Sequence, residues 1–226
     1  MGRFAAIGGG AYEEIDPLVS EIIKLSGKPV PNVLFIGTAL QDSTNPLTSC
    51  KKTFKRCAPG CIVKKLSLIR SSYSDEQIRE LITWADVIFV GGGNTAFMLE
   101  KWQERGLDRV LKQVFQEDSA VLSGLSAGAI CWFTSGYTDS ESFSGKEDWA
   151  YKTIYPGFDF YDAFFCPHYN DWKRSGFDEL ASGEKEAIAL EDRTAFLYDN
   201  GKVSFLSADE GFHAYRFIDG IKVQMV

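Results

Sequence analysis

Val87-Ile88-Phe89-Val90 is an apolar run that stops abruptly at Gly91-Gly92-Gly93, and the same device recurs through the first half of the chain. A strand with no polar residue has no solvent face, so both of its faces must be covered, as in a parallel sheet flanked by helices. Phe4 to Ile7, Val33 to Ile36 and the pair Val121-Leu122 are runs of the same kind, and Ile62 to Leu68 reads as another strand. Between them lie segments of helical period. Asp16 to Leu25 sets Leu18, Ile22 and Leu25 on one face, with Asp16-Pro17 reading as an N-cap followed by proline at the first helical position. Lys51 to Arg56 lies in a helix broken by Pro59-Gly60, and Ser74-Asp75-Glu76-Gln77 opens one that runs to about Trp84. Ala96 to Gln103 and Leu107 to Gln116 are two more. This alternation predicts an α/β fold with a mostly parallel sheet and helices on both faces.

Beyond Phe133 the rhythm changes. Thr134 to Trp149 is rich in Ser, Asp, Glu and Gly and reads as a long loop or lid. Phe160 to Phe165 is apolar and leads into Cys166-Pro167-His168-Tyr169. The remainder reads as short β segments, Thr194 to Tyr198, Val203 to Leu206 and Phe212 to Phe217, with Asn200-Gly201 as a hairpin turn. Residues 1–226 read as a single α/β domain. Net charge is −7, from 31 acidic and 24 basic residues, which provides no overall field for nucleic acid or an anionic membrane. An odd count of five cysteines, without zinc-ligand spacing, reads as reduced thiols in a cytoplasmic protein. No apolar run approaches the roughly 20 residues that span a bilayer.

The chemistry is sought at Gly124-Leu125-Ser126-Ala127-Gly128, a G-x-S-x-G spacing between an apolar strand and a small-residue helical run. Small neighbours allow a sharp turn that lifts one hydroxyl clear of the backbone. A serine becomes nucleophilic only when a base takes its proton. The chain holds two histidines. His213 falls within a terminal strand, where a surface side chain is expected. His168 follows a strand end, because Pro167 stops pairing there, and in an open parallel sheet such ends carry the ligand site. The acid that would orient the imidazole follows another apolar stretch, Ala187 to Leu190. Spacing does not choose between Glu191 and Asp192, and Asp171 and Asp178 are weaker rivals. The N–H groups of Ala127 and Gly93 are candidates for an oxyanion hole, each donor being worth about 3 kcal/mol to the transition state. Gly8-Gly9-Gly10 lacks the remaining glycine of a dinucleotide loop and a Walker lysine, and reads as a tight turn.

Together, Val90-Gly91-Gly92-Gly93-Asn94-Thr95, Gly124 to Ala129 and Pro167-His168-Tyr169 resemble the peptidase E family of serine peptidases, which includes aspartyl dipeptidases and has cyanophycinases as relatives. The resemblance implies a three-layer sandwich like that of class I glutamine amidotransferase domains, a flavodoxin-like arrangement. It implies Ser126 as nucleophile, His168 as base, and Gly93 and Ala127 as oxyanion donors. Aligning Thr194-Ala195-Phe196 with the family's strand start puts Asp192 in the acid's place, with Glu191 as the alternative. The segment between His168 and Asp192 is shorter than in the characterised dipeptidases and lacks an arginine-rich helix. Arg174, Lys173 or Arg193 is then left to read an acidic side chain.

The expectation is a serine peptidase acting on small peptides, Asp-Xaa dipeptides among them, through an acyl-enzyme, without cofactor or metal. Asn94 and Thr95, with the loop near Asp139 and Glu141, are expected to wall the substrate site. Neither a nucleic acid nor a membrane is an expected partner, and a homodimer is left open. The alternative is a non-catalytic α/β protein that keeps the pocket and binds a small ligand. Glutamine amidotransfer would want a thiolate at the elbow, whereas Cys131, a turn further on, is expected to pack inside.

Overall fold

The computed structural model describes residues 2–69, 73–144, 152–154 and 157–226. The strands are β1 (Arg3–Ile7), β2 (Asn32–Ile36), β3 (Ile62–Leu66), β4 (Val87–Val90), β5 (Val121–Leu125), β6 (Phe133–Thr138), β7 (Lys152–Ile154), β8 (Tyr161–Cys166), β9 (Glu186–Leu190), β10 (Thr194–Asp199), β11 (Lys202–Ser207), β12 (Ala214–Ile218) and β13 (Ile221–Gln224). The helices are α1 (Asp16–Ser26), α2 (Thr44–Cys57), α3 (Asp75–Trp84), α4 (Thr95–Glu104), α5 (Leu107–Glu117), α6 (Ala127–Ile130) and α7 (Phe177–Ala181).

Among the described residues the strands form two sheets. The larger has seven strands in the order β11-β10-β1-β5-β4-β2-β3. Its centre, β1, β5, β4, β2 and β3, is parallel, and the β10–β11 hairpin adds antiparallel to β1. Side chains alternate across a strand, so each central strand feeds two cores. Ala5, Ile7, Phe35 and Phe89 pack under α1 and α2 (Leu18, Ile22, Phe54). Phe4, Ala6, Ile36 and Ile88 face α3, α4 and α5 on the other side. That is the mostly parallel, three-layer α/β arrangement the alternation predicts.

The second sheet, β13-β12-β9-β8-β6-β7, has six strands and shares the outer layer with α3 to α5. Its inner face meets the central sheet through aromatic rings. Phe133 stacks on Phe165 at 4.3 Å, and Phe4 lies edge-on to Phe133 at 5.8 Å and beside Phe196 at 5.7 Å. Phe177 and Ala181 of α7 cover the opposite face. Because Phe133 is fully buried between the sheets, Phe133→Ala is expected to cost about 3–5 kcal/mol, read as a lowered midpoint in urea unfolding.

Local signals explain some element ends. Ser74 and Gln77 form a reciprocal capping box on α3, at 3.2 and 2.9 Å. Two expectations shift. Asp16 is the first residue of α1 rather than its cap, because its carboxylate pairs with Arg56 of α2 at 2.6 Å. The stretch 134–149 is not one loop. Thr134 to Thr138 belongs to β6, Ser140–Ser144 is a 3-10 turn, and residues 145–149 lie outside the described residues. The polar residues that suggest a loop are accommodated in pairs. Buried Thr138 hydrogen-bonds Ser140 at 2.8 Å, and the Ser140 hydroxyl accepts the Ala96 N–H at 3.1 Å. Among the described residues no helix is long and apolar enough to cross a membrane.

Candidate active site

Ser126 stands between β5 and α6 with φ 57° and ψ −115°, a backbone conformation that L-residues rarely adopt. The two flanking glycines make the turn sterically feasible. A Cβ on Gly124 would collide with the Gly128 carbonyl, and one on Gly128 with the Val90 carbonyl, so β4, β5 and α6 approach as closely as backbone allows. Ser126 is partly exposed at the carboxyl end of the parallel strands.

His168 follows Pro167 at the end of β8, also with positive φ (49°). Its Nε2 lies 2.8 Å from the Ser126 hydroxyl and its Nδ1 lies 2.6 Å from Asp192 Oδ1. A carboxylate only accepts, so Nδ1 carries the proton and Nε2 is left to accept the serine O–H. Burial by itself would raise the Asp192 carboxyl. Hydrogen bonds from His168 and Asn170, together with the Arg193 charge, hold it below the usual carboxylate value. The imidazole therefore faces an ionised partner at neutral pH. About a third of each side chain remains exposed, 32% for His168 and 29% for Asp192, so small molecules have access.

The end of β1 gathers these pieces. Three successive carbonyls accept backbone N–H groups: Ile7 from Ser126 at 3.0 Å, Gly8 from His168 at 3.1 Å, and Gly9 from Arg193, the neighbour of Asp192, at 3.0 Å. Gly9 also lies directly against the imidazole–carboxylate contact, since a Cβ there would overlap both Asp192 Oδ1 and His168 Nδ1. The glycine triplet is thus more than a turn. Its sequence carried the signal, three adjacent residues without side chains, but not the neighbour that needs the space.

The rival groups point elsewhere. Glu191 accepts the backbone N–H of His213 at 2.8 Å, and the His213 ring meets the Val226 carbonyl and Gln224. Asp171 caps the 3-10 turn that follows it, while Asp178 accepts the Tyr169 hydroxyl and pairs with Lys222. The Asn94 carboxamide caps α4 by accepting the Phe97 N–H at 3.0 Å and donates to the Ser140 carbonyl at 3.1 Å. These bonds tie the turn before α4 to the segment near Asp139. Gly92 borders the serine, a Cβ there falling 3.3 Å from Ser126 Cβ. Among the described residues no acceptor takes the Gly93 N–H, and Ala127 N–H, first in α6, has no intrahelical acceptor. Arg193 pairs with Glu14 and, at 3.0 Å, with Asp209. Arg174 is buried and donates to the Tyr137 carbonyl. Burial pushes the Cys131 thiol well up, and its Sγ donates to the Gly128 carbonyl, so it is a packed neutral thiol.

A groove of about 300 Å³ lined by Tyr169, Asn170, Asp171, Trp172, Ser175 and Asp178 borders this cluster. A larger one, about 480 Å³ between α3 and α5, touches none of its residues. Sequence reasoning missed Asn170, whose side chain grips Asp192 at 2.9 and 3.3 Å; a lone Asn in a polar turn carries no distinguishing pattern.

A serine at a strand-to-helix elbow, hydrogen-bonded through an imidazole to a carboxylate on the rim of a parallel sheet, is the arrangement of an α/β serine hydrolase. Comparison with known proteins makes the class specific. The chain belongs to peptidase family S51, whose family model matches residues 4–206, and it is accordingly a serine-type peptidase. It is 34% identical over 224 residues to the uncharacterized peptidase YgaJ of Bacillus subtilis (strain 168), covering 96% of this chain and 92% of that protein. Among solved structures, a putative peptidase E protein from Listeria monocytogenes EGD-e superposes with TM-score 0.67 at 19% identity, covering 92% of this chain and 98% of that one. A peptidase from an acI-B1 actinobacterium gives TM-score 0.71 at 18% identity, covering 99% and 97%. At those identities the structures speak for the fold, which is the peptidase E, class I glutamine amidotransferase-like one.

Proposed function

We propose that this peptidase cleaves small peptides through an acyl-enzyme, with Ser126 as nucleophile, His168 as general base and acid, and Asp192 as the group that orients the imidazole. The observation that carries the reading is the unbroken chain of hydrogen bonds from the hydroxyl to the carboxylate, at 2.8 and 2.6 Å. Ser126 Oγ attacks the scissile carbonyl as His168 Nε2 takes its proton. The N–H groups of Gly93 and Ala127 receive the oxygen on which negative charge develops. The protonated imidazole then gives that proton to the departing amine, leaving Ser126 acylated. A water molecule, deprotonated by the same imidazole, attacks the acyl carbon, and Ser126 Oγ leaves with the proton. Every step uses groups of this chain and water.

We extend the proposal to Asp-Xaa dipeptides as the first substrates to try. Arg193, next to Asp192, is the cation we assign to meet a substrate carboxylate. Its existing pairs with Glu14 and Asp209 mean that such a carboxylate would have to compete for it. A panel of Asp-Xaa, Glu-Xaa and Ala-Xaa dipeptides tests this, and equal kcat/KM for Asp-Xaa and Ala-Xaa would remove aspartate from the proposal.

The chemistry has a direct test in a fluorophosphonate probe. The wild-type chain is expected to be labelled at Ser126, located by peptide mass mapping, and His168→Ala is expected to slow labelling about 10³-fold or more. Labelling that proceeds at the same rate without His168 would reject the base.

A further inference from the structure

We infer that Asn170 is a positioning residue of this reaction: its carboxamide holds the Asp192 carboxylate in the orientation that meets His168. The inference rests on Ser126, His168 and Asp192 being the reacting set. Asn170 Oδ1 accepts the Asp192 backbone N–H at 2.9 Å, and Asn170 Nδ2 donates to Asp192 Oδ2 at 3.3 Å. The other carboxylate oxygen, Oδ1, is the one facing the imidazole.

This division matters because the terminal torsion of an aspartate is broad and sets no orientation by itself. Asp192 also sits in the short connection between β9 and β10, next to Arg193, whose φ is positive at 58°. Fixing its backbone and its far oxygen together fixes where the near oxygen points. The clamp comes from the turn that carries the base. Asp171 N–H closes that turn on the His168 carbonyl at 2.9 Å, and Tyr169 N–H ties it to Leu190, the last residue of β9, at 3.0 Å. One turn therefore places the imidazole and, two residues later, the group that aims its partner. The carboxamide is neutral, which suits a neighbourhood that already holds Asp192, Arg193 with Glu14 and Asp209, and Asp171.

Asn170 is exposed, so its substitution leaves the core intact. Asn170→Ala is expected to lower kcat about 10- to 100-fold, with KM within about twofold, because the loss is one of alignment. The acid limb of its kcat/KM profile should move to lower pH, as a poorly aimed carboxylate supports the imidazolium less. Asn170→Asp keeps the shape and the acceptor for the Asp192 N–H but sets a second negative charge beside the first. It should also lose kcat, with the acid limb moving to higher pH. Residue 170 serving only the shape of the loop predicts wild-type kcat for Asn170→Asp, since the added charge by itself moves the acid limb, and wild-type kcat overturns the inference. Should Asn170→Ala fail to fold, Asn170→Asp decides alone.

A readout independent of turnover is the low-field Nδ1 proton of His168, followed by NMR in a His213→Gln background that leaves one imidazole. Adding Asn170→Ala should broaden it or shift it upfield, and an unchanged signal overturns the inference. Failure of the underlying reading looks different. Activity that survives Ser126→Ala removes the reacting set, and the inference with it, whatever residue 170 does.

Discussion

Ser126→Ala is expected to leave the fold intact and to lower kcat on any cleaved peptide by at least about 10⁴-fold, with KM little changed. The size follows from what is lost. Without the hydroxyl there is no acyl-enzyme, and only the backbone donors and substrate alignment still accelerate attack by water. The fold should tolerate the change, because alanine bears the same positive-φ strain as the serine it replaces and the turn is closed by backbone bonds. His168 Nε2 loses its partner, but the ring is 32% exposed and water takes the vacant place. Circular dichroism and thermal melting would verify the fold, and kcat within tenfold of wild type in a correctly folded variant would reject the serine as nucleophile.

The second large effect belongs to a residue with no side chain. Gly9→Ala is expected to reduce kcat/KM about 10²- to 10³-fold, because its methyl would occupy the space where Asp192 Oδ1 and His168 Nδ1 meet. Either the carboxylate or the imidazole has to move, and a displacement of about 1 Å at the reacting groups is costly at this scale. Overpacking should also remove about 1–3 kcal/mol of stability, so instability must be separated from misalignment. Gly27→Ala is the matched control. Gly27 ends α1 at φ 70° with nothing within 4 Å of a new Cβ. Its substitution should cost about 1–2 kcal/mol through backbone strain alone and leave kcat unchanged. Equal activity in the two variants would mean that the β1 terminus does not set the geometry of the pair.

How much of this was readable in the chain depended on whether a residue's role was local. The buried strands announce themselves because Val87 to Val90 has no polar residue to turn to water. The G-x-S-x-G turn and the Pro167-His168 strand end carry their own geometry, which is why the serine and the histidine were legible separately. Choosing Asp192 over Glu191 was beyond spacing, since adjacent residues point apart and only the fold shows which one meets the ring. The second sheet was harder still. After Phe133, β6 is built from Thr134, Ser135, Gly136, Tyr137 and Thr138, a loop-like composition that becomes a strand because Thr138, Ser140 and Thr95 satisfy one another when buried. Arg56 removes Asp16 from its expected cap in the same way, by a contact forty residues distant. Asn170 has no sequence signature because its function lies wholly in what Asp192 does twenty-two residues later.

The run of carbonyls at Ile7, Gly8 and Gly9 has a consequence for the order in which the cluster can assemble. β1 precedes in the chain all three segments that bond to its end, so the groups near residues 126, 168 and 193 converge on a strand made before any of them. Until the last of them is synthesised, the emerging polypeptide owns a hydroxyl and an imidazole without the carboxylate that the imidazole meets. The cluster can therefore close only once the connection between β9 and β10 has been made and has met the end of β1.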